Sequence, residues 1–371
     1  MIDIDDKLLK NEEKAIFALR SLYKKYGYMP FKMSKFEEYD LYVRNKDFLV
    51  SDRIITFNDT NGKLLALKPD VTLSIIKSGE DVRGCKQKVC YNENVYRVSG
   101  SSYQYKEIMQ AGLECIGDVD LYDIFEAVLL ALKSLELISE EFILDISHLG
   151  ILSALLDEIS GDESCRSALS KCIAEKNIHD LTRICNQYEV PQENTMRLCR
   201  FAALYGRMDA VISELCDICK TEEERKALSE LAEMYHLLQG TAYADRIYFD
   251  FSIVNNMNYY NGIVFQGFLC GICESVLAGG QYDKLMQKMG RHAGAVGFAL
   301  YLDLLEGLKT QDRDYDVDVL LLYDEETERT KIIQTVKELT DDGKSVSAQK
   351  AVPHKLRSRQ LVDLRKGRCA E

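Results

Sequence analysis

Two strand-like runs lying close together, residues 88–98 and 105–116, constrain this fold more than any other feature. Both read with the alternation that a pleated strand requires. Only a polar loop built on Ser99-Gly100-Ser101-Ser102 separates them. So short a link joins antiparallel neighbours, because parallel neighbours need a crossover of about a dozen residues or more. The order of the other elements agrees, pointing to an antiparallel-rich α+β core and not a doubly wound parallel sheet.

Before this pair, Ile16, Leu19, Tyr23 and Tyr26 share one face of a helix predicted over residues 11–26 and stopped by Gly27. A strand-like run over 28–36 follows. Residues 52–57 and 63–67 then read as a hairpin around Asn58-Asp59-Thr60-Asn61-Gly62, and 70–78 as a helix. After the pair come an amphipathic helix over 118–137, capped by Asp118 or Asp120, and a short strand over 141–146. Residues 148–240 read as almost wholly helical, with breaks at Gly161 and Pro191, so they form an expected inserted block. Strands are expected again at 247–253, 262–269 and 274–278, and a helix at 302–308. A polar linker at 310–314 leads to a strand over 317–323 and a helix over 325–341. Residues 344–371 then break off inside an α/β unit.

The formal net charge of −13 argues against a global attraction to nucleic acid, which needs clustered Lys and Arg. The basic stretch at 350–368, with Lys355, Arg357, Arg359, Arg365 and Lys366, reads either as a solvated face or as a phosphate-binding surface. No apolar run approaches the roughly 20 residues that span a bilayer. The acidic start Met1-Ile2-Asp3-Ile4-Asp5-Asp6 lacks a basic-then-apolar leader, so a cytoplasmic location is expected. Twelve cysteines then read as reduced thiols. Cys216/Cys219 and Cys270/Cys273 have the spacing of a four-thiolate zinc site, but the first pair lies in a helical stretch without knuckle turns. Both pairs are taken as buried or incidental. The five histidines are scattered, and no metal or cofactor is expected.

Four segments hold candidate binding residues. In Leu67-Lys68-Pro69-Asp70-Val71-Thr72, Asp70 and Thr72 suit an ammonium, which needs converging acceptors, though Asp70 equally suits a helix cap. In Gln110-Ala111-Gly112-Leu113-Glu114 the even spacing puts Gln110 and Glu114 on one sheet face, as a pocket or a solvated face. In Asn258-Tyr259-Tyr260-Asn261-Gly262-Ile263-Val264-Phe265 the paired tyrosines either enclose a ring by stacking or pack a core. In Ala278-Gly279-Gly280-Gln281-Tyr282-Asp283 the glycines read as architectural, at a turn.

Together, and in this order, these segments resemble histidyl-tRNA synthetase, and more closely its relatives that serve as regulatory subunits of ATP phosphoribosyltransferase. The resemblance covers about residues 10–145 and 245–308. It implies a class II aminoacyl-tRNA synthetase-like antiparallel sheet flanked by helices over 1–310. A helical insertion at about 148–244 and a truncated α/β segment at 315–371, similar to part of an anticodon-binding domain, complete that expectation. It also implies a histidine pocket formed by Asp70, Thr72, Gln110, Glu114, Tyr259 and Tyr260.

Several departures remove the charge that adenylation requires. Ala295-Val296-Gly297-Phe298-Ala299-Leu300-Tyr301-Leu302-Asp303-Leu304 resembles class II motif 3, with Leu304 where an arginine would meet ATP. Asn255-Asn256-Met257-Asn258 stands for Arg-Gly-Leu-Asp, Gln281 replaces another arginine, and Ser34 stands near the motif 1 proline. Of the motif 2 charge only Arg97 remains, as a residual phosphate-facing candidate. Positioned cations carry most of the stabilisation in such transfers, and leucine cannot supply it. The resemblance thus implies a noncatalytic regulatory subunit in the first step of histidine biosynthesis. It would be a homodimer within a hetero-oligomer, partnered by the short-form catalytic ATP phosphoribosyltransferase, with histidine as effector and no role for tRNA. The alternatives are a histidyl-tRNA synthetase or another synthetase-like amino-acid-binding paralogue.

Overall fold

A computed structural model describes residues 9, 11–45, 54–79, 82–98, 104–254, 257, 259–307 and 315–365. The chain divides into two compact units, Met1–Leu308 and Lys309–Glu371. The first begins with α1 (Asn11–Lys25), β1 (Met29–Pro30), β2 (Phe36–Glu38), α2 (Tyr39–Arg44), β3 (Thr56–Asn58), β4 (Leu64–Leu67) and α3 (Thr72–Ser78). The long pair β5 (Lys86–Val98) and β6 (Tyr105–Gly117) follows, then α4 (Leu121–Glu136) and β7 (Phe142–His148). The helical block comprises α5 (Leu149–Ile159), α6 (Glu163–Ala174), α7 (Ile178–Gln187), α8 (Gln192–Ala203), β8 (Tyr205–Gly206), α9 (Met208–Ile218) and α10 (Glu222–Gln239). The unit closes with β9 (Ile247–Asp250), β10 (Ile263–Leu269), β11 (Leu277–Gln281), α11 (Asp283–Lys288) and β12 (Gly294–Tyr301), running into a 3-10 turn, Leu302–Gly307.

Nine strands form the main sheet in the order β1-β5-β6-β12-β11-β10-β7-β9-β8. Among the described residues of this sheet, only β1 with β5 and β7 with β9 pair in parallel. The β5–β6 ladder runs from Lys86 opposite Gly117 to Val98 opposite Tyr105, as the short link requires. Pleating sorts the side chains of β6 and β12. Ala111, Leu113, Cys115, Val296, Phe298 and Leu300 join the core cluster that includes α1 and α4 residues. There Tyr23 meets Phe298 edge to face, with ring centroids 6.0 Å apart. The intervening residues, Gln110, Gly112, Glu114, Gly297, Ala299 and Tyr301, belong to the other face.

Local chemistry sets the helix ends. Asp120 is the cap of α4: its carboxylate accepts from Tyr122 and Asp123 N–H, and Asp123 answers to Asp120 N–H. In the helical block, Thr221 and Glu224 form the same reciprocal cap at α10. Glu224, wholly buried, also accepts from Arg197 Nη2 through both carboxylate oxygens, at 2.7 and 2.8 Å.

The structure moves several expected boundaries. The run at 28–36 is not one strand. Its pairing with β5 ends as Phe31 N–H donates to Cys90 O at 2.8 Å, and Phe36–Glu38 instead joins β4 in a small antiparallel sheet ordered β2-β4-β3. β9 ends at Asp250 because that carboxylate folds back onto the backbone and hydroxyl of Ser252, at 2.9 and 2.6 Å. The strand expected at 274–278 lies at Leu277–Gln281, so Gly279 and Gly280 sit in the sheet and not in a turn. A Cβ on Gly279 would lie 2.4 Å from the Phe298 Cβ and 2.5 Å from Gly297 O. α11 had no counterpart in the sequence reading.

The second unit holds β13 (Val317–Leu322), α12 (Arg329–Asp341), β14 (Val346–Gln349) and β15 (Ser358–Asp363), with parallel order β14-β13-β15. α12 starts later than expected, since Thr327 closes a turn onto Asp324 first. In the basic stretch Lys350, Arg357 and Arg365 pair with Glu325, Asp316 and Asp363. The expected linker at 310–314, Lys366 and the residues beyond it lie outside the described residues.

Candidate functional site

The sheet face away from α1 carries small residues at its centre. Gly112 on β6, Gly297 and Ala299 on β12, and Ala278 on β11 are cross-strand neighbours. Glycine inside a strand often marks a close approach, and here the missing side chains leave a cavity of about 90 Å³. That is well above the roughly 10–15 Å³ needed to admit one water, so it leaves room for a small molecule.

Asp70, Thr72, Arg97, Gln110, Glu114, Tyr259 and Tyr260 all line this cavity. The turn before α3 brings Asp70, the first residue of α3 is Thr72, β5 brings Arg97, β6 the next pair, and the connection from β9 to β10 the tyrosines. Asp70 also accepts from Leu73 N–H at 3.0 Å, so it caps α3 and lines the cavity at once. Burial raises its carboxyl above the usual range, and the nearby Arg97 charge pulls the other way. Arg97 is held by its Nε donating to Pro69 O at 2.9 Å. Gln110 and Glu114 are both buried, at 3% and 2% exposed, so the solvated-face reading fails.

Glu114 is the hub. Thr72 Oγ1 donates to its Oε1 at 2.8 Å and Tyr282 Oη to its Oε2 at 2.5 Å. Burial nevertheless pushes its carboxyl up to about 8, with the two hydrogen bonds opposing and Asp70 adding to the rise. Tyr259 meets Tyr260 edge to face at 4.7 Å between centroids, and Tyr282 at a tilt at 5.6 Å. Burial keeps these phenols neutral. The result is a small, tyrosine-walled pocket with a buried carboxyl, a half-buried one and an amide. It suits a cationic ammonium near the acids and a flat ring near the tyrosines.

Sequence reasoning passed over Tyr91, Tyr282 and Tyr301, which also line the cavity. Tyr282 stood in a segment taken as architectural; the signal was its place just past a glycine pair. Leu304, at the expected arginine position, is half-buried against the core cluster that includes α1 and α4 residues. Asn255, Asn256, Asn258 and the loop Ser99–Ser102 lie outside the described residues. Among the described residues, no group of three or more His, Cys, Asp or Glu side chains is arranged to hold a metal ion, and no helix is long and apolar enough to cross a membrane.

A family model described as histidyl-tRNA synthetase matches residues 1–305. A protein of Oceanobacillus iheyensis named ATP phosphoribosyltransferase regulatory subunit is 31% identical over 288 residues, 77% of this chain and 71% of that one. The solved structure of an ATP phosphoribosyltransferase regulatory subunit/histidyl-tRNA synthetase from Bacillus halodurans C aligns with a TM-score of 0.78 and 25% identity. It covers 98% of this chain and 97% of that chain. The ATP phosphoribosyl transferase (HisG:HisZ) complex from Thermotoga maritima aligns with a TM-score of 0.61 over 81% of this chain and 98% of that one. At 20% identity that match speaks for the fold.

Proposed function

The chain belongs to the ATP phosphoribosyltransferase regulatory subunits, a family on the histidyl-tRNA synthetase fold, and from that premise we propose that it activates a short-form catalytic ATP phosphoribosyltransferase in the cytoplasm and reports histidine to it. The observation that carries the reading is the joining of family membership to a retained small-molecule cavity. In this reading Asp70, Thr72, Gln110 and Glu114 take the ligand ammonium, the tyrosines take its ring, and Arg97 takes its carboxylate. Arg97 fits that role because a guanidinium offers a fixed fork to a carboxylate.

Leu304 supports a noncatalytic role, since a leucine packed on the core cannot neutralise a phosphate. Regulation then requires histidine to bind the active and inactive assemblies with different affinity. The test is phosphoribosyl-ATP formation by a short catalytic subunit, with and without this protein. Stimulation on mixing, reversed by histidine, is expected. No stimulation in a verified complex would overturn the reading, and histidine-dependent pyrophosphate exchange by this chain alone would replace it with a synthetase.

A further inference from the structure

The two Cys-x-x-Cys pairs share a spacing but not a setting. Cys216 is exposed at the end of α9, while Cys219 is 2% exposed and burial pushes its thiol up to about 12. A buried thiol of that kind is inert. Cys270 and Cys273 are instead both exposed, in the connection that reverses the chain from β10 to β11.

That connection is built to hold them. Ile272 N–H donates to Leu269 O at 3.2 Å, closing a tight turn over Cys270 and Gly271. Gly271 has φ +89°, a conformation natural to glycine at the third position of such a turn, and open space surrounds it. Cys270 N–H is tied to Glu141 O at 3.0 Å, while Ile272 packs half-buried against the core. On the returning arm Val276 N–H donates to Gly267 O at 2.9 Å. Cys270 therefore sits inside an anchored reversal and Cys273 just past it. Three extended steps would span about 10 Å, whereas a disulfide needs Cα atoms roughly 4.4–6.8 Å apart; the turn closed from Leu269 to Ile272 bends the start of that span at Gly271 and so shortens it.

We infer that Cys270 and Cys273 form a surface dithiol that closes reversibly to a disulfide by exchange with a small disulfide oxidant of the glutathione class. One cysteine thiolate attacks the oxidant, forming a mixed disulfide and expelling one small thiolate. The second cysteine thiolate attacks the protein sulfur of that mixed disulfide and expels the other. Two electrons pass to the oxidant, and the two protons end on the released thiols. The Glu141 side chain accepts a hydrogen bond from the Cys270 thiol and holds it above the usual thiol range. Closure is therefore slow near neutral pH and speeds up as pH rises. The cross-link would fasten the end of the hairpin that delivers Gln266 and Ala278 to the cavity wall, whatever ligand fills it.

The full-length protein, held in buffers of rising glutathione disulfide, is alkylated and cut with trypsin. The fragment between Arg246 and Lys284 contains these two cysteines and no others. The expected product is this fragment lacking two hydrogens, with both sulfurs protected from alkylation together, and restored by dithiothreitol. Cys270→Ser and Cys273→Ser each abolish that product and stop at a mixed disulfide. Cys216→Ser leaves it unchanged, and Glu141→Gln accelerates closure severalfold. A wild-type fragment that stays fully alkylatable, carries only separate glutathione adducts, or links two copies of the chain would overturn the proposal.

Discussion

Glu114→Gln is the most informative single substitution, because it removes one ionisable proton and little else. The native carboxyl, with a value of about 8 against an ordinary 4.5, holds its proton where the unfolded chain has released it. A carboxyl raised on folding contributes stability that is complete below its unfolded value and is lost as pH rises toward its folded value. The slope is about 1.4 kcal/mol per pH unit. Between about pH 5 and about pH 7 the wild type therefore loses on the order of 3 kcal/mol through this residue, and above about pH 8 the loss levels off. Glutamine has nearly the same shape and can still accept from Tyr282, but it has no such slope.

Unfolding of both proteins by urea, followed at several pH values between 5 and 9, reads this directly. The stability of the variant relative to the wild type is expected to climb by about 3 kcal/mol from pH 5 to pH 7, by about 1 kcal/mol more toward pH 8, and then to level off. Comparing the pair cancels the titrating groups that are not coupled to Glu114, as Asp70 is. Curves parallel within about 0.5 kcal/mol would refute the reasoning. They would mean that Tyr282 and Thr72, donating at 2.5 and 2.8 Å, hold Glu114 ionised despite its burial.

The same titration governs ligand binding. If histidine binds with a cation against Glu114, its affinity should rise by up to about tenfold per unit toward pH 8, then fall as the ligand's own ammonium is lost; calorimetry in buffers of different ionisation enthalpy checks the proton release, and a flat profile refutes it. Gly297→Ala places a Cβ 1.8 Å from Glu114 Oε2 and 2.4 Å from Leu113 O. Displacing the carboxylate and the strand is expected to cost about 1–3 kcal/mol of stability and to weaken histidine binding at least tenfold by calorimetry. Arg197→Met leaves Glu224 buried without its guanidinium and is expected to destabilise the helical block by about 3–5 kcal/mol; hydrogen exchange across α8–α10 reads this, and an unchanged protection pattern would count against it.

What was legible in the sequence follows the range of the forces involved. The β5–β6 pair was readable because a short link and an alternating pattern are local facts. The α4 cap was narrowed to two aspartates, and the reciprocal bond from Asp123 selects Asp120. Strand ends were misplaced where a side chain bonds its own backbone, as Asp250 does at β9, because periodicity carries no trace of such a bond. Gly279 and Gly280 were read as a turn from their identity, yet their place in the sheet is dictated by Phe298 and Gly297, which lie on the neighbouring strand.

The cavity shows the limit most clearly. Its polar residues were nameable from short motifs, but its existence depends on Gly112, Ala278, Gly297 and Ala299, small residues contributed by three strands that register brings side by side. Its chemistry depends on the same register. Gly297 stands opposite Glu114, and Tyr282, 168 residues further along the chain, reaches the same carboxylate. The protonation state of Glu114 is thus a property of the assembled sheet and not of the Gln110–Glu114 motif. A pattern search that recovers the motif in another chain would therefore find the pocket's donors and acceptors without knowing whether the pocket accepts a cation at neutral pH.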